Sequence, residues 1–146
     1  ILVQHPKATL RIVGSGDDAS RLHSLAQNSG AMKAVTFLGR LNDEELREEY
    51  SRCDVFALPS LKEGFGLVYL EAMSFGKPCI AARAGGAPEV VTEEVGALIE
   101  YNNVDEIADA CIRLAQLPPK PALVRAYLEQ FYFSHFTLRL SATLTN

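Results

Sequence analysis

"DVFALPSLKEGFGLVYLEAMSFGKPCIAAR", residues 54–83, reads as a strand, a glycine turn, a helix and a second strand in unbroken succession. "DVFALPS" (54–60) is a short apolar run closed by Pro59 and Ser60, and "KPCIAAR" (77–83) is another. Between them "FGLVYLEAMSFG" has helix length and is almost wholly apolar. A helix that returns the chain to a second buried strand is a βαβ crossover, the unit of a parallel sheet covered on both faces.

Working outward, the same alternation continues. "TLRIVGSG" (9–16), "AVTFLG" (34–39) and "GALIE" (96–100) are further apolar runs ending in turn residues. "DDASRLHSLAQNSG", "NDEELREEYSRC", a short "APEVVTEE" and "NVDEIADACIRLAQL" fill the gaps, the last with helical periodicity through Ile107, Ala110, Cys111 and Leu114. Asn42 or Asp43 is placed to cap the second helix, whose first turn is acidic, as the helix dipole favours. The expected fold is α/β: a doubly wound, Rossmann-like parallel sheet of about five strands with helices on both faces. That domain spans 1–117; "LPPKP" (117–121) ends the pattern, and 118–146 reads as a helical tail rich in aromatics (Tyr127, Phe131, Tyr132, Phe133, Phe136). The tail carries more aromatic surface than one helix needs, so part of it is expected to be exposed and to favour self-association.

Composition narrows the function classes. With 146 residues and 48% apolar residues, the chain can bury a real core. Fourteen basic and eighteen acidic residues give a net charge of −4, and no basic run tracks a phosphate backbone, which argues against nucleic acid. Cys53, Cys79 and Cys111 are odd in number and widely spaced, so they suggest neither a disulfide framework nor a metal site, and a reducing compartment is expected. No apolar stretch approaches the ~20 residues of a membrane span, and no secretory signal pattern opens the chain. The expected location is cytoplasmic.

In doubly wound sheets ligands bind beyond the carboxyl ends of the strands. After the first strand, "VGSGDDA" (13–19) satisfies G-x-G-x-x-A, the pattern of a dinucleotide fingerprint. Asp17 and Asp18 would repel a pyrophosphate there, and the second strand ends in Gly39-Arg40 instead of a ribose-binding acid. The turn is therefore either a plain strand-to-helix connection with an aspartate at the cap or a glycine turn that admits another ligand. The loop "LKEGFG" is more specific. Gly64 and Gly66 let backbone approach a ligand closely, and a helix starting near Phe65 or Gly66 directs free amides and about half a positive charge at it, which suits a phosphate. Glu71, about one turn into that helix, leans back toward the same crevice. Taken alone, Glu71 also reads as a solvated edge residue and Lys62 as a surface charge. Together, amides for phosphate and carboxylates for vicinal hydroxyls describe a ligand carrying both, such as a nucleotide sugar.

"PSLKEGFGLVYLEAMSFGKPCIAARAGGAPEVV" closely resembles the donor-binding C-terminal domain of retaining GT-B glycosyltransferases of the glycogen-synthase-like group 1 family. The family pattern is a Glu, seven residues and a second Glu, then G-x-P and G-G-x-P-E. Here these are Glu63 and Glu71, Gly76-Lys77-Pro78, and Gly85-Gly86-Ala87-Pro88-Glu89. The resemblance covers residue 9 to about residue 115. It implies transfer of a sugar from a nucleotide diphosphate-sugar to an acceptor hydroxyl, with leaving-group charge met by amides and cations instead of a metal, and with no cofactor. Glu63 would be the catalytic carboxylate against the transferring sugar and Glu71 the ribose ligand. Phe65, Gly66 and Leu67 would offer amides to the diphosphate, with Gly64 in the same loop, while Gly14, Gly16, Gly39 and Arg40 would border the nucleotide. His5, His23 and His135 match no family position. The family's first strand and helix, with their Arg and Lys for the diphosphate, and its N-terminal acceptor-binding domain have no counterpart here, so the resemblance implies a fragment that is almost inactive alone. The alternatives are a GT-B sugar epimerase and a non-catalytic nucleotide- or partner-binding module. If the absent strand leaves a gap, the expectation is that residues 10–13 close up on residues 55–58, giving the strand order 2-1-3-4-5.

Overall fold

A computed structural model of the chain describes residues 1–132 and 134. The expectations for Phe133, His135 and Phe136 lie outside the described residues. The chain divides into two compact units, Ile1–Glu49 and Tyr50–Asn146.

In the first unit β1 (Leu10–Val13) pairs in parallel with β2 (Val35–Gly39), Leu10 opposite Val35 and Ile12 opposite Phe37, with an irregularity between Ile12 and Val13. The crossover is α1 (Ala19–Asn28) and a 3-10 turn (Met32–Ala34). His23 of α1 stacks on Phe37 of β2 with ring centroids 3.8 Å apart, which ties the helix to the strand. Asp18 precedes α1 but caps no amide; its carboxylate takes two hydrogen bonds from Arg21, at 2.6 and 2.5 Å. Asn42 does cap α2 (Asp43–Arg52): its Oδ1 accepts from the Glu45 amide at 3.0 Å, and the Glu45 carboxylate accepts from the Asn42 amide at 2.9 Å. This reciprocal box satisfies two amides that the helix itself cannot.

In the second unit β3 (Phe56–Leu58), β4 (Cys79–Ala82) and β5 (Gly96–Ile99) form a parallel sheet in the order β3-β4-β5. Central β4 is buried along its whole length, as a strand covered on both faces must be. The crossover from β3 to β4 is α3 (Leu67–Ser74), whose Tyr69, Ala72 and Met73 are fully buried. α4 (Ala87–Val90) follows β4, and α5 (Val104–Gln116) follows β5 and sets Ala110 and Leu114 against Ile80, Ala82, Ala97 and Ile99. Full burial of a side chain such as Leu114 or Ile80 contributes about 1.5–3 kcal/mol each. α6 (Pro121–Leu128) and a 3-10 turn (Glu129–Phe131) return to α3, where Gly76 is essential: a Cβ there would lie 2.7 Å from the Pro121 Cβ.

The expected α/β architecture and all five parallel strands are present. They form sheets of two and three strands instead of one sheet of five. The anticipated closure of residues 10–13 onto 55–58 is not formed: among the described residues no pairing joins β1 to β3. Closure would be forced only if the unpaired strand groups were sealed from water. An open edge costs less because water can satisfy it, and the edges are wet: Leu10, Arg11 and Val13 of β1 and Ala57 of β3 are exposed.

Candidate functional site

The loop after β3 is set by short-range bonds. The Ser60 amide donates to the Leu58 carbonyl at 2.8 Å, and the Lys62 amide donates to the Ser60 hydroxyl at 3.3 Å. Glu63 and Gly64 are then gripped by the turn after β4, where the Gly86 amide donates to the Glu63 carbonyl at 3.2 Å. The approach is so close that a Cβ on Gly85 would stand 2.4 Å from that carbonyl oxygen, and one on Gly86 2.0 Å from the Gly64 carbonyl oxygen. The two halves of the sequence motif, E-G-F-G and G-G-x-P-E, are thus two surfaces of one backbone contact.

Gly66 ends the loop in a left-handed conformation, φ 81° and ψ 45°, directly over the Tyr69 ring; a Cβ there would be 2.5 Å from Tyr69 Cδ2. α3 consequently begins at Leu67, a residue or two later than the sequence suggested. No acceptor among the described residues takes a hydrogen bond from the amides of Phe65, Gly66 or Leu67, and α3 has no side-chain cap. These three amides sit at the positive end of the helix, where an anionic ligand is favoured.

Of the two carboxylates, Glu63 is half-buried and Glu71 exposed. Tyr69 donates its hydroxyl to the Leu58 carbonyl at 2.7 Å and lies under the Glu63 loop. Burial, and next the negative charge of Glu63, push its phenol up to about 12. Glu71 has a partner that sequence reasoning missed: the Tyr50 hydroxyl donates to Glu71 Oε2 at 2.9 Å. Burial first and the Glu71 carboxylate second raise the Tyr50 phenol well above its usual range, so it remains a proton donor. The sequence signal for Tyr50 was its position as a lone aromatic in an acidic helix, which says core and not site. Lys62 is exposed.

The other predicted residues lie in the first unit. The Gly14 amide donates to the Gly39 carbonyl at 2.7 Å, and Arg40 Nε donates to the Ser15 hydroxyl at 2.9 Å. The Gly14–Gly16 turn and the Gly39–Arg40 loop are therefore brought together. Gly14 (φ 122°) and Gly39 (φ 67°) need glycine for their backbone angles, and the space where a Cβ would project from either is open. Glu63, Gly64, Phe65 and Gly66 form the loop before α3, and Leu67 and Glu71 stand on α3, all in the second unit.

Among the described residues no cluster of three or more His, Cys, Asp or Glu side chains is placed to hold a metal, and no helix is long and apolar enough to cross a membrane. Among the described residues Cys53, Cys79 and Cys111 form no disulfide. A wide groove along β5 and α5, walled by Arg83, Glu100 and Glu106, shares no residue with the loops above. Its charges are partly spent on one another: Arg83 lies 3.4 Å from Glu100, and the Glu106 carboxylate accepts the Glu100 amide at 2.8 Å.

The family described as "Glycosyl transferases group 1" matches residues 1–130. Among curated proteins, the GDP-mannose-dependent monoacylated alpha-(1-6)-phosphatidylinositol monomannoside mannosyltransferase of Corynebacterium glutamicum is 38% identical over 133 residues, 86% of this chain and 34% of that protein. Among solved structures, sucrose-phosphate synthase from Thermosynechococcus elongatus aligns with a TM-score of 0.81 at 29% identity, over 99% of this chain and 39% of that one. Anabaena HepE, solved in complex with UDP-glucose, aligns with a TM-score of 0.75 at 28% identity, over 96% and 41%. The chain spans about a third of the length of the curated relatives it matches.

Proposed function

We propose that this chain, which belongs to the group 1 glycosyl transferase family, is the donor-binding part of a retaining glycosyltransferase. The reaction would move a sugar from a nucleotide diphosphate-sugar to an acceptor hydroxyl, with acceptor recognition supplied by a domain outside these residues. Glu63 faces the transferring sugar, Glu71 takes the ribose hydroxyls, and the amides of Phe65, Gly66 and Leu67 meet the diphosphate. Gly64 gives Glu63 its backbone path. Charge on the departing diphosphate is met by oriented amides, which need no reorganisation as it develops; neither a metal nor a cofactor is invoked. The relatives named for GDP-mannose and UDP-glucose support GDP or UDP as the leaving group. None of the relatives named above is an epimerase, and no observation favours a purely non-catalytic module. The odd number and wide spacing of the three cysteines support a cytoplasmic, reducing location.

The observation that carries this reading is the pairing of three undonated amides at the start of α3 with an exposed carboxylate one turn further on. One site then offers donors to an anion and acceptors to hydroxyls. Glu71→Gln tests it, with GDP, UDP and inorganic pyrophosphate titrated calorimetrically. Removing the carboxylate should weaken the nucleoside diphosphates about tenfold, the scale of one charged hydrogen bond, and leave pyrophosphate almost unchanged. Equal losses for all three ligands would reject the role of Glu71.

A further inference from the structure

Glu71 carries its carboxylate on three rotatable bonds from an exposed helix position, and an unrestrained side chain of that kind loses substantial rotamer freedom when it binds a ligand. Here one oxygen is already held. The Tyr50 hydroxyl that donates to Oε2 at 2.9 Å belongs to a residue that is only 7% exposed. Phe56 and Phe75 lie beside its ring, at centroid distances of 5.6 and 5.8 Å. Tyr50 stands on α2 and Glu71 on α3, so the contact fixes the carboxylate from a different element.

We propose that Tyr50 is a positioning residue for ribose recognition: it anchors Glu71 Oε2 so that the carboxylate meets the vicinal hydroxyls of a nucleoside diphosphate already oriented. The inference rests on the reading of Glu71 given above. A carboxylate has about four lone-pair sites on its two oxygens; Tyr50 occupies one, and a vicinal diol needs two. The donor is stiff, because a tyrosine has two side-chain torsions and these are locked by the surrounding rings. It is also constant, because burial and the carboxylate both oppose loss of its proton. Phenylalanine would fill the same apolar niche, so the hydroxyl is the part that packing does not explain. A merely structural hydroxyl would affect stability and leave ligand choice alone; a positioning hydroxyl changes which nucleotides are preferred.

The test compares GDP and UDP with their 2′,3′-dideoxy forms, by ligand-observed NMR titration of the chain carrying Tyr50→Phe, Glu71→Gln or both. The expected result is a clear ribose preference in the unaltered chain. Tyr50→Phe should reduce that preference about fivefold, the scale of immobilising one rotamer-rich side chain on binding, without weakening the dideoxy ligands. The double variant should show no more loss than Glu71→Gln alone. If Tyr50→Phe does not fold, 3,5-difluorotyrosine in place of Tyr50 keeps the shape but surrenders its proton at lower pH, and the preference should then fade as pH rises. Loss of preference in Glu71→Gln with full retention in Tyr50→Phe, or a pH-independent preference in the fluorinated chain, overturns the role of Tyr50 and leaves the ribose reading standing. An unaltered chain without ribose preference, or a Glu71→Gln variant that keeps it, overturns both.

Discussion

A methyl group added at Gly86 would lie 2.0 Å from the carbonyl oxygen of Gly64, whereas one added at Gly64 meets nothing within 4 Å. The two glycines face one another across the same contact, but only the first is demanded by packing. Gly86→Ala must push the Glu63 loop away and is expected to cost about 1–3 kcal/mol, the scale of overpacking, with weaker nucleotide binding as the loop shifts. Gly64→Ala should change stability by less than about 1 kcal/mol. Urea denaturation of the two variants distinguishes them, and equal losses would count against the clamp. Tyr69 gives a prediction in pH. Its phenol is raised to about 12 when folded, mainly by burial and then by Glu63, against about 10 for an exposed phenol. The folded state therefore holds a proton that the unfolded state releases between these values. The corresponding stability is fully present below pH ~10 and is lost as pH rises toward 12. Tyr69→Phe should flatten that alkaline decline while costing about 1 kcal/mol at neutral pH for the lost bond to the Leu58 carbonyl, as thermal melts across the range would register.

Helix ends show how far local chemistry could be read in advance. The Asn42 cap of α2 was visible as an asparagine before an acidic turn, and the structure forms it in full. α5 has a similar device: Asn103 Oδ1 accepts from the Glu106 amide at 3.2 Å, while its Nδ2 donates to Glu106 at 2.7 Å. Asn103→Ala should cost about 1 kcal/mol in a chemical denaturation curve; no loss would mean that water replaces the cap fully. Strands were legible for a different reason. Each of the five is a short apolar run between turn residues, and burial of β4 on both faces leaves no alternation to confuse with a helix. Glu63 and Glu71 stood out in the sequence through their spacing and the glycines around them. The Tyr50 contact did not, because it joins residues 21 positions apart, and no local pattern encodes which carboxylate a buried phenol will reach. Likewise the Asp18 cap was reasonable from position, but Arg21 one turn later competes for the same carboxylate and wins it.

At the scale of the molecule, the pattern named the strands but not how they divide, because pairing depends on what can stand beside an edge. Among the described residues β1 bonds to β2 alone and β3 to β4 alone, so each strand has an edge with no strand partner there. Such edges are templates for pairing with another chain unless charge or a covering element protects them. β1 is the more exposed hazard: Leu10 is 53% and Val13 40% exposed, with Arg11 engaged by Glu49. The tail competes as a source of association. Tyr127 and Phe131 pack together at 5.7 Å and Phe131 meets Phe65 at 6.1 Å, which engages these two tail rings within the second unit, while Tyr132 is 57% exposed. Association through the edge requires a strand without an interrupting charge; association through the tail requires the aromatic ring. Light scattering over a concentration series should therefore show reversible dimers that Leu10→Lys suppresses, since a lysine on an edge strand opposes pairing, and that Tyr132→Ser leaves largely intact. The reverse pattern would transfer the contact to the tail, and a strict monomer at high concentration would mean that hydration alone satisfies both edges.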